Sequence, residues 1–159
     1  MRPSLRFLAV AIIGWAGIRA ATLGMIPAAQ LLAVKPTSAT SGQVMATQFP
    51  EEFGAVVCFY GGGLAGEPRF RGFTKNTMEE APKVKAPVLL FYGAIDQMIT
   101  HDLVDRFTGR LKELAKGYQC FVYPGADHGF FCDERPSFNP AAASDAWEKS
   151  VAFLKNNLS

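Results

Sequence analysis

Over the second two-thirds of the chain the apolar residues come in short unbroken runs. Residues 53–60 read Phe-Gly-Ala-Val-Val-Cys-Phe-Tyr and are stopped by three glycines, Gly61, Gly62 and Gly63. Residues 87–92 form a second run, ended by Gly93, and residues 119–123 a third, stopped by Pro124 and Gly125. A strand with one face in water alternates apolar and polar residues, whereas a strand covered on both faces has no reason to. Continuous runs of this length therefore predict strands of a parallel sheet lying between helices.

The helical period appears between the runs. Leu103, Val104, Phe107, Leu111 and Leu114 recur at spacings of three and four, which puts them on one face of a helix. Thr100 stands at its start as an N-cap, Lys112 and Lys116 lie in the last turn, and Gly117 follows the end. After the third run, Asn139 precedes Pro140, a cap with proline at the first helical position, and Trp147, Val151, Leu154 and Leu158 line one face. The order strand, loop, strand, helix, strand, loop, helix indicates an α/β fold built on a parallel sheet.

The first 34 residues follow a different pattern. A basic start with Arg2 and Arg6 leads into a stretch from residue 7 to 34 that is apolar or small except for Arg19, Thr22 and Gln30. This fits a hydrophobic leader or membrane anchor. Arg19 interrupts it, and a charge at the centre of a spanning helix costs about 2.5–3.5 kcal/mol. A soluble helix or degenerate core segment is therefore the competing expectation for residues 1–34. Residues 35–50 turn to Pro, Thr, Ser, Ala, Gly and Gln with almost no charge, which reads as a linker. The folded domain is expected over residues 51–159.

With 159 residues, of which 49% are hydrophobic and 19% charged, the chain has the length and apolar content for one core. The net charge of +2 hides an asymmetry. Four of the 16 basic residues and none of the 14 acidic ones fall before residue 51, so the expected domain is slightly acidic. That argues against nucleic acid as a partner, which needs a basic stripe on the folded part. Cys58, Cys120 and Cys132 show no repeated spacing, so neither a disulfide framework nor a Cys-x-x-Cys metal or redox motif is present.

Two histidines make the search for a proton carrier short. His101, between Thr100 and Asp102 at a helix start, is expected to be solvated. His128 lies in Tyr123-Pro-Gly-Ala-Asp-His-Gly-Phe130, just past a predicted strand, at the carboxyl edge where open α/β sheets carry their sites. The preceding strand ends in Phe91-Tyr-Gly-Ala-Ile-Asp96, which brings Asp96 to the same edge. A carboxylate on one imidazole nitrogen fixes the tautomer and supports the charged ring when the other nitrogen takes a proton. Asp96 and His128 are thus a candidate acid–base pair. Their bland reading is a turn-capping aspartate and a satisfied loop histidine.

Residues 84–96 (Val-Lys-Ala-Pro-Val-Leu-Leu-Phe-Tyr-Gly-Ala-Ile-Asp), 123–131 (Tyr-Pro-Gly-Ala-Asp-His-Gly-Phe-Phe) and 135–143 (Arg-Pro-Ser-Phe-Asn-Pro-Ala-Ala-Ala), with Asp145-Ala-Trp147, resemble the carboxyl-terminal half of the dienelactone hydrolase family. The resemblance covers roughly residues 53–158 and is strongest over 84–158. It implies a three-layer α/β-hydrolase sandwich, incomplete because its amino-terminal strands are missing. It also implies Asp96 as triad acid, His128 as triad base, hydrolysis of a small-molecule ester or lactone, and no cofactor or metal.

The same resemblance calls for a cysteine or serine on a sharp strand-to-helix turn ahead of the acid. Gly14-Trp-Ala-Gly17 has some likeness to it but puts Ala16 where the nucleophile should stand. Cys58 falls inside a predicted strand, as does Cys120, and Cys132 lies downstream of the base, against the family order. His128, Cys132 and Asp133 are too loosely spaced for a metal set. Gly61-Gly-Gly-Leu-Ala-Gly66 matches a dinucleotide fingerprint in letters, but Glu67-Pro-Arg-Phe-Arg-Gly72 is a poor opening for the required helix. An alternative therefore stands beside the hydrolase: a noncatalytic half-domain, tethered to a membrane through residues 1–34 or associating with itself along an open sheet edge. Location follows the same fork, cytoplasmic or, with residues 1–34 as leader, membrane-associated or exported.

Overall fold

The computed structural model describes residues 7–11, 31–32, 46–64 and 76–158. Its elements are β1 (Phe7–Ala11), β2 (Leu31–Leu32), β3 (Phe53–Phe59), α1 (Thr77–Glu80) with a 3-10 turn at Ala81–Lys83, β4 (Val88–Gly93), α2 (His101–Glu113), β5 (Tyr118–Tyr123) and α3 (Pro140–Leu158). The strands form one sheet in the order β2-β1-β3-β4-β5, and every pairing is parallel. The three apolar runs are β3, β4 and β5, and the two periodic segments are α2 and α3.

Each central strand sends its side chains into two separate cores. Val56, Cys58, Val88, Leu90 and Tyr92 pack with Val104, Phe107 and Leu111 of α2. Ala55, Val57, Phe59, Leu89 and Phe91 pack with Ala142, Ala146, Phe153 and Leu154 of α3. Successive strand residues point to opposite faces, so covering both faces with helices leaves no position where a polar residue would be favoured. This is the three-layer arrangement expected of the runs.

Local signals hold with two changes. Asn139 caps α3, its Oδ1 accepting from the Ala142 N–H at 3.1 Å. Thr100 is the N-cap of α2 but its side chain makes no capping bond; the turn ahead of the helix is tied by Asp96 instead. The left-handed residue after α2 is Ala115 (φ +51°), not Gly117. There the Lys116 N–H donates to the Leu111 carbonyl at 2.9 Å, closing the helix two residues earlier than the glycine suggests. The acidic stretch before β4 includes the short helix α1. Asn76 caps it, accepting from the Met78 N–H at 3.0 Å.

Two pieces of the segment expected as leader, anchor or degenerate core are described, and both are strands of the sheet. β1 runs beside β3, with Val10 opposite Val57, and β2 runs beside β1. A short apolar run satisfies a leader core and a buried parallel strand equally well, so pattern alone does not separate them. Gly14 to Gly17, residues 35–45 of the linker and Glu67 to Gly72 lie outside the described residues. Among the described residues no helix is long and apolar enough to cross a membrane.

Phe107 is almost fully buried, at 1% exposure, where α2 meets the sheet. Phe107→Ala is expected to lower unfolding stability by about 3–5 kcal/mol, the usual cost of emptying a buried aromatic site. Urea denaturation of the two proteins measures it.

Candidate active site at the carboxyl edge

β4 and β5 are paired through to their last residues, Gly93 opposite Tyr123, so the loops that follow leave the sheet level with each other. Backbone bonds stitch them together. The Ala94 N–H donates to the Tyr123 carbonyl at 3.0 Å and the Ile95 N–H to the Ala126 carbonyl at 3.1 Å. This closeness requires glycine at position 93, because a Cβ there would lie 2.3 Å from the Ala126 oxygen.

The stitched loops bring Asp96 and His128 together. Asp96 Oδ2 lies 2.9 Å from His128 Nδ1, with the aspartate side chain fully buried and the histidine 19% exposed. The other carboxylate oxygen accepts from the Met98 N–H at 2.7 Å and the Ile99 N–H at 2.9 Å. Asp96 therefore does both things the sequence allowed for it: one oxygen holds the turn before α2 and the other holds the imidazole. An ionised carboxylate only accepts, so Nδ1 carries the proton and Nε2 keeps its lone pair. Nε2 has no hydrogen-bond partner among the described residues. Such a ring can take a proton at Nε2 while its positive charge is stabilised from behind.

The turn carrying His128 is set locally. The His128 N–H donates to Asp127 Oδ1 at 2.6 Å, and Gly125 and Gly129 adopt φ of +69° and +84°, which side chains disfavour. Beneath it lies an aromatic floor of Phe59, Phe91, Tyr123 and Phe130, with Phe59 and Phe91 stacked at 4.9 Å. A recess of about 250 Å³ lined by Pro50, Phe53, Lys85 and Pro87 opens at the amino ends of β3 and β4, the wrong end of the sheet for this pair.

A family model for the dienelactone hydrolases matches residues 40–158. The chain belongs to the dienelactone hydrolase family. A relative in Synechocystis, assigned by name as a carboxymethylenebutenolidase, is 33% identical over 105 residues, 65% of this chain and 42% of its own length. One of the same name in Saccharolobus solfataricus is 36% identical over 105 residues, 60% of this chain and 40% of its own. A solved structure from Klebsiella pneumoniae, described as a dienelactone hydrolase, superposes with a TM-score of 0.64 at 32% identity, over 72% of this chain and 46% of that one. The fold is also that of a puromycin-hydrolysing peptidase of Mycobacterium tuberculosis, at a TM-score of 0.59 and 19% identity over 74% of this chain and 20% of that one. The chain spans less than half the length of these relatives, and against them its sheet is incomplete.

The other candidate residues of this dienelactone hydrolase family member lie in different surroundings. His101 is exposed and faces Asp105 at 3.0 Å. Cys58 is buried inside β3. Cys120 sits half-buried in β5, where burial first and the charge of Asp105 second push its thiol up to about 12. Cys132 is buried after the histidine turn, and among the described residues no three His, Cys, Asp or Glu side chains gather as a ligand set.

Tyr60 is the residue that sequence reading passed over. It is 2% exposed, has φ of +38°, and its ring lies 5.0 Å from that of His128, tilted by 58°. Its hydroxyl has no hydrogen-bond partner among the described residues. Burial, reinforced by Cys132 and opposed by Arg135, holds the phenol far above its ordinary range, so it stays neutral. Its one signal in the sequence is its place directly before three glycines.

Gly93→Ala is expected to cost about 1–3 kcal/mol in urea unfolding, the usual penalty for forcing an atom into filled space. Cys120, with its thiol held near 12, is protonated at neutral pH and so a poor nucleophile. Peptide mass mapping after brief iodoacetamide treatment of the native protein at pH 7.5 is expected to find it unmodified.

Proposed function

We propose that this chain carries the acid and base of an ester or lactone hydrolase, with His128 as base and Asp96 as the residue that orients and supports it. The observation that carries this reading is the 2.9 Å contact between His128 Nδ1 and a fully buried Asp96 carboxylate, whose second oxygen is already held by two backbone N–H groups. Membership of the dienelactone hydrolase family supports it further.

In the reaction, His128 Nε2 removes the proton of a hydroxyl or thiol as that group attacks the ester carbonyl. The imidazolium that forms is stabilised by Asp96 and then returns the proton to the departing alkoxide. Water repeats the sequence on the acyl intermediate, with His128 again taking the proton. The nucleophile comes from a residue outside the described ones or from a partner chain. Substrates are small-molecule esters or lactones, the class that the relatives' names also suggest.

Hydrolysis of a generic aryl ester by residues 1–159 tests this. His128→Ala and Asp96→Asn are each expected to lower kcat by about three to four powers of ten, and Cys132→Ala to leave it within about twofold. Activity that survives His128→Ala rules the base assignment out. A folded chain that turns over neither aryl esters nor lactones rules out a nucleophile within this chain and leaves the partner-supplied one or the alternative, a noncatalytic half-domain.

A further inference from the structure

Over residues 55–59 of β3 the side chains alternate between the two cores. Val56 and Cys58 enter the α2 side, while Ala55, Val57 and Phe59 enter the α3 side. Continued by one residue, that alternation sends Tyr60 to the α2 side with Cys58. Its left-handed backbone, φ +38°, breaks the pattern and turns the ring into the α3-side core beside Phe59. There it lies 5.0 Å from the His128 ring at 58° and 5.6 Å from Phe130 at 73°.

The backbone that imposes this turn is pinned on both sides. The Tyr60 N–H donates to the Phe91 carbonyl at 2.7 Å. Three residues on, the Gly63 carbonyl accepts from the Thr77 N–H at 3.1 Å and from Thr77 Oγ1 at 2.7 Å. A bulky residue held in a left-handed conformation, with its hydroxyl buried and unpaired, carries two local costs at once. Such outliers persist where the surrounding structure imposes them, and they cluster at functional sites.

The imidazole explains what the outlier does. Asp96 touches His128 at one nitrogen, and a single hydrogen bond fixes a point but not the plane of the ring that turns about it. A face packed obliquely against that ring supplies the missing constraint. We propose that Tyr60 is a positioning residue for His128, its ring holding the imidazole plane so that Nδ1 stays on Asp96 and Nε2 is left open. The ring acts, and the hydroxyl does not. This deepens the acid–base reading given above and rests on it, yet its test needs no turnover.

The test is the tautomer of His128, read from nitrogen-15 spectra of the histidine side chains at about pH 9, where imidazole is neutral. His101→Gln assigns the signals. In the unmodified protein and in Tyr60→Phe, His128 is expected to be the Nδ1–H form. In Tyr60→Leu its shifts are expected to move to the mixture shown by histidine in a short peptide, while those of His101 stay in place. Tyr60→Asn, which tolerates the left-handed backbone, takes over if the leucine variant does not fold.

A wild-type tautomer retained in Tyr60→Leu or Tyr60→Asn overturns the proposal. So does a mixture in the unmodified protein, or a changed tautomer in Tyr60→Phe, which would assign the effect to the hydroxyl. If the unmodified chain hydrolyses an aryl ester, loss of the ring is expected to lower kcat about tenfold or more with KM within about twofold. Absence of turnover would count against the hydrolase reading alone, because the spectra still decide the role of Tyr60.

Discussion

Burial of β3 and β4 on both faces is the constraint from which the rest of the molecule follows. Residues 55–59 and 88–92 are all 2% exposed or less, and their side chains enter two cores lined by different helices. Inside such a sheet a charged or hydrogen-bonding side chain would be stranded without water or a partner, at a cost of several kcal/mol. Polar chemistry is thereby confined to the strand ends. Parallel pairing then makes the carboxyl ends of neighbouring strands coincide, so a residue three positions past β4 meets one five positions past β5.

Asp96 shows how one side chain serves fold and site together. Its two oxygens are shared between backbone N–H groups of its own turn and the imidazole of a loop 32 residues away. A buried carboxylate held by three hydrogen bonds is fixed in place, and a held carboxylate fixes the tautomer of its partner. Gly93 contributes by absence of a side chain, since the Ala126 oxygen occupies the space a Cβ would need. Filling that space would push the loops apart without altering the histidine itself.

The arrangement also explains why the strained residue sits where it does. From Ala55 to Phe59 the side chains follow the two-residue period, and this departure falls just past the strand's end, where the chain is released from the ladder and can turn. Tyr60 thereby joins an aromatic cluster that already includes Phe59 and Phe130. The cost is local, in one backbone angle and one unpaired hydroxyl. The benefit lies across the sheet, at the ring of His128.

The α/β class, the three parallel strands β3, β4 and β5, the two long helices and the Asn139 cap were legible in the sequence, because each depends on local periodicity or on a residue with one strong conformational preference. Asp96 and His128 were legible as candidates because both follow a strand directly and the strands are parallel. Three things depended on tertiary structure. The apolar run at residues 7–11 is a strand only through its pairing with β3, which no local pattern distinguishes from a leader. The requirement for glycine at position 93 comes from an oxygen 33 residues further along the chain. And the side of the sheet on which Tyr60 lies was set by a single backbone angle that overrides alternation, an effect that exists only once both neighbouring loops are pinned. Periodicity is a property of neighbours in sequence; contact between loops is a property of the closed sheet, and the site is made of the second kind.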